Sequence, residues 1–156
     1  MRFVIGILLA CVILSACDDT RVYEKNKDFD KRTWLVNDTA RFDFEIPEGS
    51  NMYNIHCNLR NSLDYQWQRI FINFVLSDSS GQVLSSKLVS NYLFEPKTGK
   101  PLGTSGLGDI YDQRFPLLNA YALKPGKYTV SLQQLMRTDT LKGILAVGVR
   151  VELNEK

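Results

Sequence analysis

Apolar and polar residues alternate with a period of two along much of the chain. The sequence FDFEI at residues 42–46 places an apolar side chain at every second position, and residues 53–59 repeat this pattern. Successive side chains of a β-strand point to opposite faces, so this period predicts strands with one buried face. Residues 70–76, IFINFVL, are apolar nearly throughout, which predicts a strand covered on both faces. No stretch of similar length has the 3.6-residue period of an amphipathic helix, and we expect an all-β protein.

Further strands are expected between short turn sequences. They are predicted at residues 82–93, 115–123, 128–132 and 144–153, with turns such as KPGK at residues 124–127 between them. Residues 95–112 are rich in glycine and proline and predict a long loop, a feature that commonly serves a function or covers a site. About eight strands joined mainly by turns predict an antiparallel β-sandwich, with the jelly roll as a candidate topology.

The N-terminus has the layout of a bacterial lipoprotein signal. Arg2 is followed by an uncharged apolar run over residues 3–16, which ends in LSAC at residues 14–17. As a helix this run would cover about 20 Å, which is short of a hydrocarbon core about 30 Å thick. LSAC has the form of a lipobox, in which the cysteine becomes the first residue of the mature chain and its thiol receives diacylglycerol. We predict a cleaved signal peptide at residues 1–16 and a lipidated Cys17 that anchors the protein to a membrane; a plain signal peptide or an uncleaved anchor is the alternative.

Two segments follow the cleavage site. Residues 17–33 are densely charged, and we predict that they form the lipidated N-terminus and a tether that holds the domain away from the bilayer. Residues 34–156 are predicted to form a single β-sandwich domain, because neither a repeat nor a second composition class interrupts them.

Charge and cysteine content narrow the classes of protein that the chain can belong to. The formal net charge is +2, with 19 basic and 17 acidic residues, so the sequence offers no electrostatic case for nucleic-acid binding. Of the three cysteines, Cys11 is removed with the signal peptide and Cys17 is acylated, which leaves Cys57 without a partner for an internal disulfide. Since Cys57 lies in an alternating run, we predict a buried, unreactive side chain.

The residues give little support for catalysis or for a bound metal. His56 is the one histidine, and its place in the alternation predicts a solvent-facing side chain. A Ser/His/Asp triad would have to use it, and no G-x-S-x-G motif is present. Asp109 and Asp112 supply two carboxylates, whereas calcium takes six or more oxygen ligands. We therefore predict a non-enzymatic protein with no catalytic, metal or cofactor site.

Four charged residues are candidates for holding the glycine-rich loop. Arg60 and Arg137 lie among uncharged or apolar neighbours, and Asp109 and Asp112 lie on the loop. We predict that an Arg–Asp pairing fastens the loop across one end of the sandwich; the alternative is four solvated surface charges of little energetic consequence.

Aromatic residues near the loop form a second candidate site. Tyr65, Trp67 and Tyr111 are expected to be exposed beside it and to form a docking patch, with Trp67 alternatively a buried core residue.

Several short motifs of the mature chain together resemble a known family. The most specific are GLGDIYD at residues 106–112, QLMR at residues 134–137 and LKGI at residues 141–144. The others, in chain order, are Val22-Tyr23, Trp34, Tyr53-Asn54, Leu59-Arg60-Asn61 with Tyr65, Leu102-Gly103, Gly126-Lys127-Tyr128 and Val147-Gly148. With the lipobox, these motifs make the sequence similar to the GldH gliding-motility lipoproteins of the Bacteroidetes, over nearly all of the mature chain.

The resemblance implies a place in the bacterial envelope. It implies an outer-membrane-associated lipoprotein of the gliding apparatus, whose components overlap with type IX secretion, acting through contacts with other envelope proteins and without enzymatic activity or a cofactor. The residues alone leave an alternative of another class. A surface lipoprotein that binds glycans would use Tyr65, Trp67 and Tyr92 as a platform for sugar rings.

Overall fold

The computed structural model describes residues 19–49 and 51–154, so the predicted signal peptide and the lipidation site at Cys17 lie outside the described residues. Within them the chain forms eleven strands and one short 3₁₀ turn, Asp30–Arg32. The strands are β1 (Arg21–Asp28), β2 (Thr33–Leu35), β3 (Ala40–Ile46), β4 (Asn51–Ser62), β5 (Arg69–Asp78), β6 (Val83–Tyr92), β7 (Thr104–Ser105), β8 (Ile110–Leu123), β9 (Gly126–Gln134), β10 (Thr140–Lys142) and β11 (Ile144–Leu153).

The long strands form two antiparallel sheets that pack face to face. The front sheet has the order β1-β11-β4-β8-β7, and the back sheet has the order β3-β9-β5-β6. A small third sheet pairs β10 with β2. Long strands that follow one another in the chain mostly alternate between front and back, which is the double Greek-key arrangement of a jelly roll. The predicted all-β antiparallel sandwich is confirmed.

The core lies between the two sheets and is built by the alternating residues. Ile55, Cys57 and Leu59 point inward from β4 and are essentially inaccessible, as are Ile72 and Phe74 from β5. The prediction that Cys57 is buried is confirmed. Burial raises the pKa of its thiol well above the ordinary value, which disfavours the reactive thiolate.

The prediction that residues 17–33 form a tether is wrong for Arg21–Asp28. This segment is β1, an edge strand of the front sheet that pairs antiparallel with β11. Tyr23 packs inward on Phe44 of the back sheet with ring centroids 5.6 Å apart, while Glu24 faces outward. The high charge reflects an edge strand whose outer face forms ion pairs, rather than a segment without structure.

The two ends of the sandwich differ in how the chain reverses direction. At one end, which we call the turn end, β1 begins, β11 finishes, and short connections join β3 to β4, β5 to β6 and β8 to β9. At the opposite end, the loop end, longer connections follow β1, β4, β6 and β9. The predicted long loop at residues 95–112 lies there, although it contains β7 and its last residues already belong to β8.

Candidate functional site

The outer face of the front sheet contains a polar groove of about 480 Å³. Its walls are lined by Asn26 and Asp28 from β1, Asn58 and Arg60 from β4, and Asp112 and Arg114 from β8. Ala146 of β11 lies between the walls, and its small side chain leaves the space open. The groove therefore results from the register of the strands, which places polar side chains of β1, β4 and β8 around the small side chain of Ala146.

Glu24 is the centre of the ion network beside this groove. Its carboxylate accepts hydrogen bonds from Asn58 at 2.8 Å, Arg150 at 2.9 Å and Arg114 at 3.2 Å, and Arg21 lies 3.4 Å away. Burial raises the pKa of Glu24, but the hydrogen bonds from Asn58 and Arg150 and the charge of Arg150 outweigh it, so the pKa lies below its ordinary value. The carboxylate is consequently ionised at neutral pH and joins β1, β4, β8 and β11.

Arg150 and His56 lie under this network rather than in solvent. Arg150 is only 5% exposed and donates from Nε to Glu152 at 2.6 Å. His56 lies on the outer face of the front sheet, as its place in the alternation predicts, but it is mostly covered and not open to solvent. Its Nδ1 lies 3.5 Å from a Glu152 oxygen and has no hydrogen-bond partner in the described residues. Burial lowers the pKa of His56, and Arg114 and Arg150 lower it further against the opposing effect of Glu152. The lowered pKa favours the neutral imidazole at neutral pH.

Sequence reasoning missed Glu24 and Arg150. The available signal was the sequence VGVRVEL at residues 147–153, where an arginine stands in a strand that is otherwise nearly all apolar. A buried arginine requires a carboxylate partner, because an unpaired charge away from water is very costly. Glu152, two residues further along and on the same face of β11, is one such partner and could have been found in the sequence. The second partner, Glu24, is 126 residues away in the chain and was not readable.

Arg60 and Asp112 form a two-pronged ion pair. Nε and Nη2 of Arg60 donate to the two carboxylate oxygens of Asp112 at 2.7 and 3.3 Å. The two residues are direct neighbours across β4 and β8, so the pair links two strands of the front sheet instead of crossing the end of the sandwich. Both side chains are about half exposed, so the pair contributes at most about 1 kcal/mol.

Asp109 is paired with Arg32, and the predicted involvement of Arg137 is wrong. Nη1 of Arg32 donates to Asp109 at 2.7 Å and lies 3.7 Å from Asp64. Arg32 thus links the connections that follow β1, β4 and β6 at the loop end. Arg137 is exposed and belongs to none of the ion pairs found in residues 19–49 and 51–154. It follows β9 of the back sheet, whereas Asp109 precedes β8 of the front sheet, and this separation explains the missing contact.

Buried amides join the two sheets near the loop end. Gln113 of β8 donates from its side chain to Asn61 at 3.1 Å and to the Leu93 carbonyl at 3.3 Å. Asn91 of β6 donates to the Gln113 carbonyl oxygen at 3.2 Å. A buried amide with satisfied partners fixes the sheets in one relative position, because any slip leaves a polar group without a hydrogen bond.

The aromatic residues do not form the predicted platform. Tyr65 is 4% exposed and donates its hydroxyl to the Arg69 carbonyl at 3.0 Å, so its predicted exposure is wrong. Trp67, the alternative core residue, is 37% exposed and meets the Tyr65 ring edge-on. Tyr92 is exposed but is covered by the Arg69 guanidinium, 4.6 Å from its ring centroid, and Tyr111 is only half-buried. Because Tyr65 is buried, it cannot contribute to the glycan-binding platform that was the alternative interpretation of Tyr65, Trp67 and Tyr92.

Exposed leucines collect at the loop end. Leu107 is 89% exposed, and Leu63, Leu102 and Leu135 are also exposed. The backbone N–H of Leu63 donates to the Asp109 carbonyl at 3.0 Å, which holds Leu63 close to the loop that carries Leu107. The charged residues Arg32, Asp64 and Asp109 lie at the same end of the sandwich. Exposed apolar side chains accompanied by charged residues are typical of protein-binding surfaces.

Residues 19–49 and 51–154 contain no group of three or more His, Cys, Asp or Glu side chains arranged to hold a metal ion. In the same part of the chain, no helix is long and apolar enough to cross a membrane.

Comparisons with known proteins identify the family. The family model described as GldH lipoprotein matches residues 21–151. A Christiangramia forsetii protein named gliding motility lipoprotein GldH homolog is 29% identical over 156 residues, which cover 95% of this chain and 93% of that protein. A Flavobacterium johnsoniae protein named gliding motility lipoprotein GldH is 28% identical over 153 residues, which cover 94% of this chain and 93% of that protein.

Among solved structures, the Agl-KA catalytic domain is similar with a TM-score of 0.41 and 12% identity over 88% of this chain, which spans 27% of that protein. A likeness at this level indicates neither a family nor a function for this chain. The family model, by contrast, spans from the first residue of β1 to Val151 in β11, which is nearly the whole sandwich. The chain belongs to the GldH lipoprotein family.

Proposed function

We propose that this protein is a non-enzymatic, lipid-anchored component of the bacterial gliding machinery in the outer membrane. It acts by binding other envelope proteins, in an apparatus that overlaps with type IX secretion. The observation that carries the proposal is the family match over residues 21–151, together with relatives that are named as gliding motility lipoproteins and align over more than nine tenths of their length.

The lipid anchor at Cys17 is part of the proposal. Its support is the LSAC sequence at the end of an apolar run that is too short to span a bilayer. Acyl chains contribute about 0.8 kcal/mol for each buried methylene, so several chains on one residue make release from the membrane negligible. The protein then meets its partners within or beside the membrane that holds it.

The front-sheet charges give no support for a catalytic role. Glu24, Arg114 and Arg150 satisfy one another through hydrogen bonds of 2.9 and 3.2 Å, and Arg60 is bound to Asp112. A catalytic acid or base must exchange protons with a substrate, and groups held in mutual ion pairs are poorly placed for that task.

Deleting the gene and scoring colony spreading and protein secretion tests the proposal. We expect spreading to be lost and to return with the wild-type gene. Loss of spreading with normal secretion would restrict the role to gliding, whereas normal spreading and normal secretion would contradict the proposal.

A second arm tests the anchor and its location. A Cys17→Ala copy should fail to restore spreading although immunoblots show normal protein levels, and wild-type protein should fractionate with outer-membrane markers. Full rescue by Cys17→Ala would show that anchoring is dispensable. Fractionation with the inner membrane would contradict the proposed location.

A further inference from the structure

The distance between the lipidation site and the first strand is very short. Cys17 precedes Arg21, the first residue of β1, by four residues. Four residues reach at most about 14 Å when fully extended. The backbone N–H of Leu153 donates to the Thr20 carbonyl at 2.8 Å, so the chain is already held by β11 one residue before β1 begins. Little free chain therefore separates a lipid on Cys17 from the folded domain.

The start of β1 lies at the turn end of the sandwich. Arg21 pairs with Glu152 near the end of β11, and Ile46 pairs with Gly126 where β3 meets β9 at the same end. The ten residues of β11 lead from there to the loop end and cover about 30 Å. The exposed leucines of the loop end are thus farther from Cys17 than four extended residues can reach.

The chemistry of the two ends agrees with this geometry. The turns of the turn end expose polar residues such as Glu48 and Lys124, which suit lipid headgroups and water. The strand starts beside these turns also expose Met52, Val83 and Leu84, which suit the apolar side of the same interface. Leu107 and Leu63 are exposed at the other end. An upright domain on a four-residue anchor therefore keeps these leucines out of contact with its own bilayer.

We propose that the domain stands upright on the membrane, with its turn end against the lipid headgroups and its loop end held about 30 Å away. The occupant of the turn end is the bilayer that contains the lipid of Cys17. This inference rests on the lipidation included in the proposed function, and it replaces the free tether that the sequence predicted.

Fluorescence quenching in vesicles tests this orientation. The acylated full-length lipoprotein is reconstituted in vesicles of phosphatidylethanolamine and phosphatidylglycerol that contain a lipid with a nitroxide on its headgroup. Single fluorophores are attached at Lys124→Cys in the turn end and at Leu107→Cys in the loop end. Leu88→Cys and Pro116→Cys place labels midway on the outer faces of the back and front sheets. Cys57 is fully buried, so wild-type protein serves as the labelling control.

We expect quenching to be strongest at Lys124→Cys, weaker at both sheet positions and weakest at Leu107→Cys. Equal quenching at the two ends would overturn the upright orientation. Quenching at Leu88→Cys or Pro116→Cys that matches Lys124→Cys would mean that the domain lies on a sheet face, and it would also overturn the proposal. Wild-type protein that fails to float with vesicles would contradict the lipid anchor, and with it both the proposed function and the upright orientation. Flotation with equal quenching at every label would contradict the upright orientation alone.

An insertion variant separates the short anchor from other causes of orientation. Twelve Gly/Ser residues between Asp18 and Asp19 add a flexible linker with a root-mean-square length of about 19 Å. The lipid remains, but quenching at Lys124→Cys should fall towards the value at Leu107→Cys. An unchanged difference between the two labels would mean that adhesion of the domain, and not the anchor length, sets the orientation.

Discussion

The turn end and the loop end reverse the same strands by different physical means. In the β5–β6 turn, one carboxylate oxygen of Asp78 accepts hydrogen bonds from the backbone N–H groups of Ser80 at 2.9 Å and Gln82 at 3.0 Å. These contacts join residues two and four positions apart. At the loop end, Trp34 is completely buried, stacks on Phe29 with centroids 5.1 Å apart and donates from Nε1 to the Asp38 carbonyl at 2.7 Å. The contacts of Trp34 are also close in sequence, but its side chain lies in the core. Order at the turn end therefore depends on hydrogen bonds within exposed turns, whereas order at the loop end depends on core packing.

This difference shows where the fold is vulnerable. A local turn survives the loss of one contact, because its residues are close in the chain and turn propensity is retained. A long loop has a larger entropic cost and stays ordered only while its buried anchors hold it. We therefore expect substitutions at loop-end anchors to reduce stability more than equivalent substitutions in the turn end.

The largest effect is expected from Trp34→Ala. Removing this buried side chain leaves a cavity and breaks the Asp38 hydrogen bond, which should lower the free energy of unfolding by about 3–5 kcal/mol. Urea unfolding followed by circular dichroism measures the change. Trp67→Ala is the control, since Trp67 is partly exposed at the same end. Equal losses in the two variants would contradict the role of Trp34 as the anchor.

Two glycines give a direct comparison of the ends. Gly143 at the loop end has φ +82° and Gly81 at the turn end has φ +84°, so alanine strains both backbones equally. A Cβ on Gly143 would lie 2.5 Å from the Tyr65 backbone nitrogen, whereas a Cβ on Gly81 meets nothing within 4 Å. Gly81→Ala should cost about 1 kcal/mol from backbone strain alone, and Gly143→Ala should cost at least about 2 kcal/mol. Equal melting temperatures of the two variants would show that the contact with Tyr65 relaxes without cost.

An intermediate effect on stability is expected from Glu24→Gln, which tests how strongly the ion network holds β1 in the front sheet. Loss of the charged hydrogen bonds with Arg150 and Arg114 should reduce stability at pH 7 by about 1–3 kcal/mol. The pKa of Glu24 is lowered in the folded state, so its contribution is fully present above the ordinary pKa and is lost as the pH falls through the lowered value.

The difference in melting temperature between wild type and Glu24→Gln should therefore be largest near neutral pH and shrink in acid. Thermal unfolding across pH 3 to 7 measures it, with Glu48→Gln in an exposed turn as the control. A difference that stays constant or grows in acid would contradict the role of the ionised carboxylate.

The smallest effect on stability is expected from Arg32→Ala. The Arg32–Asp109 pair is exposed, so its loss should change the free energy of unfolding by less than about 1 kcal/mol. The loop around Leu107 should nevertheless be cut faster in limited proteolysis, because the pair orients it. Arg137→Ala is the matched control and should leave cleavage unchanged. Faster cleavage in Arg137→Ala would restore the pairing that the sequence suggested.

The alternation of apolar residues was sufficient to predict the sandwich. Strands such as β3 and β9 bury every second residue in the core. These positions must be apolar, so the sequence alternates with a period of two. β1 was missed because an edge strand has fewer core contacts and places Lys25 and Lys27 at inward-alternating positions. Its charges resemble those of an unstructured segment unless their partners are known.

The candidate site was predictable only where partners face each other on adjacent strands. Arg60 and Asp112 were both selected from the sequence and they do pair. Arg32 and Asp109 are 77 residues apart and lie on connections, for which no periodic pattern gives a register. The burial of Tyr65 depends on Gly143, because a residue without a side chain lets the backbone at 143 approach the backbone of Tyr65. No local feature of residues 63–69 indicates this contact.

The position of β1 so close to Cys17 has a consequence for recognition. In the upright orientation proposed above, the domain still spins about the membrane normal, but the four-residue anchor limits its tilt. Association of free proteins loses several kcal/mol through restricted translation and rotation. A partner placed at the height of the loop end would meet this domain with most of that orientational search already completed, so a small contact surface would be sufficient for binding.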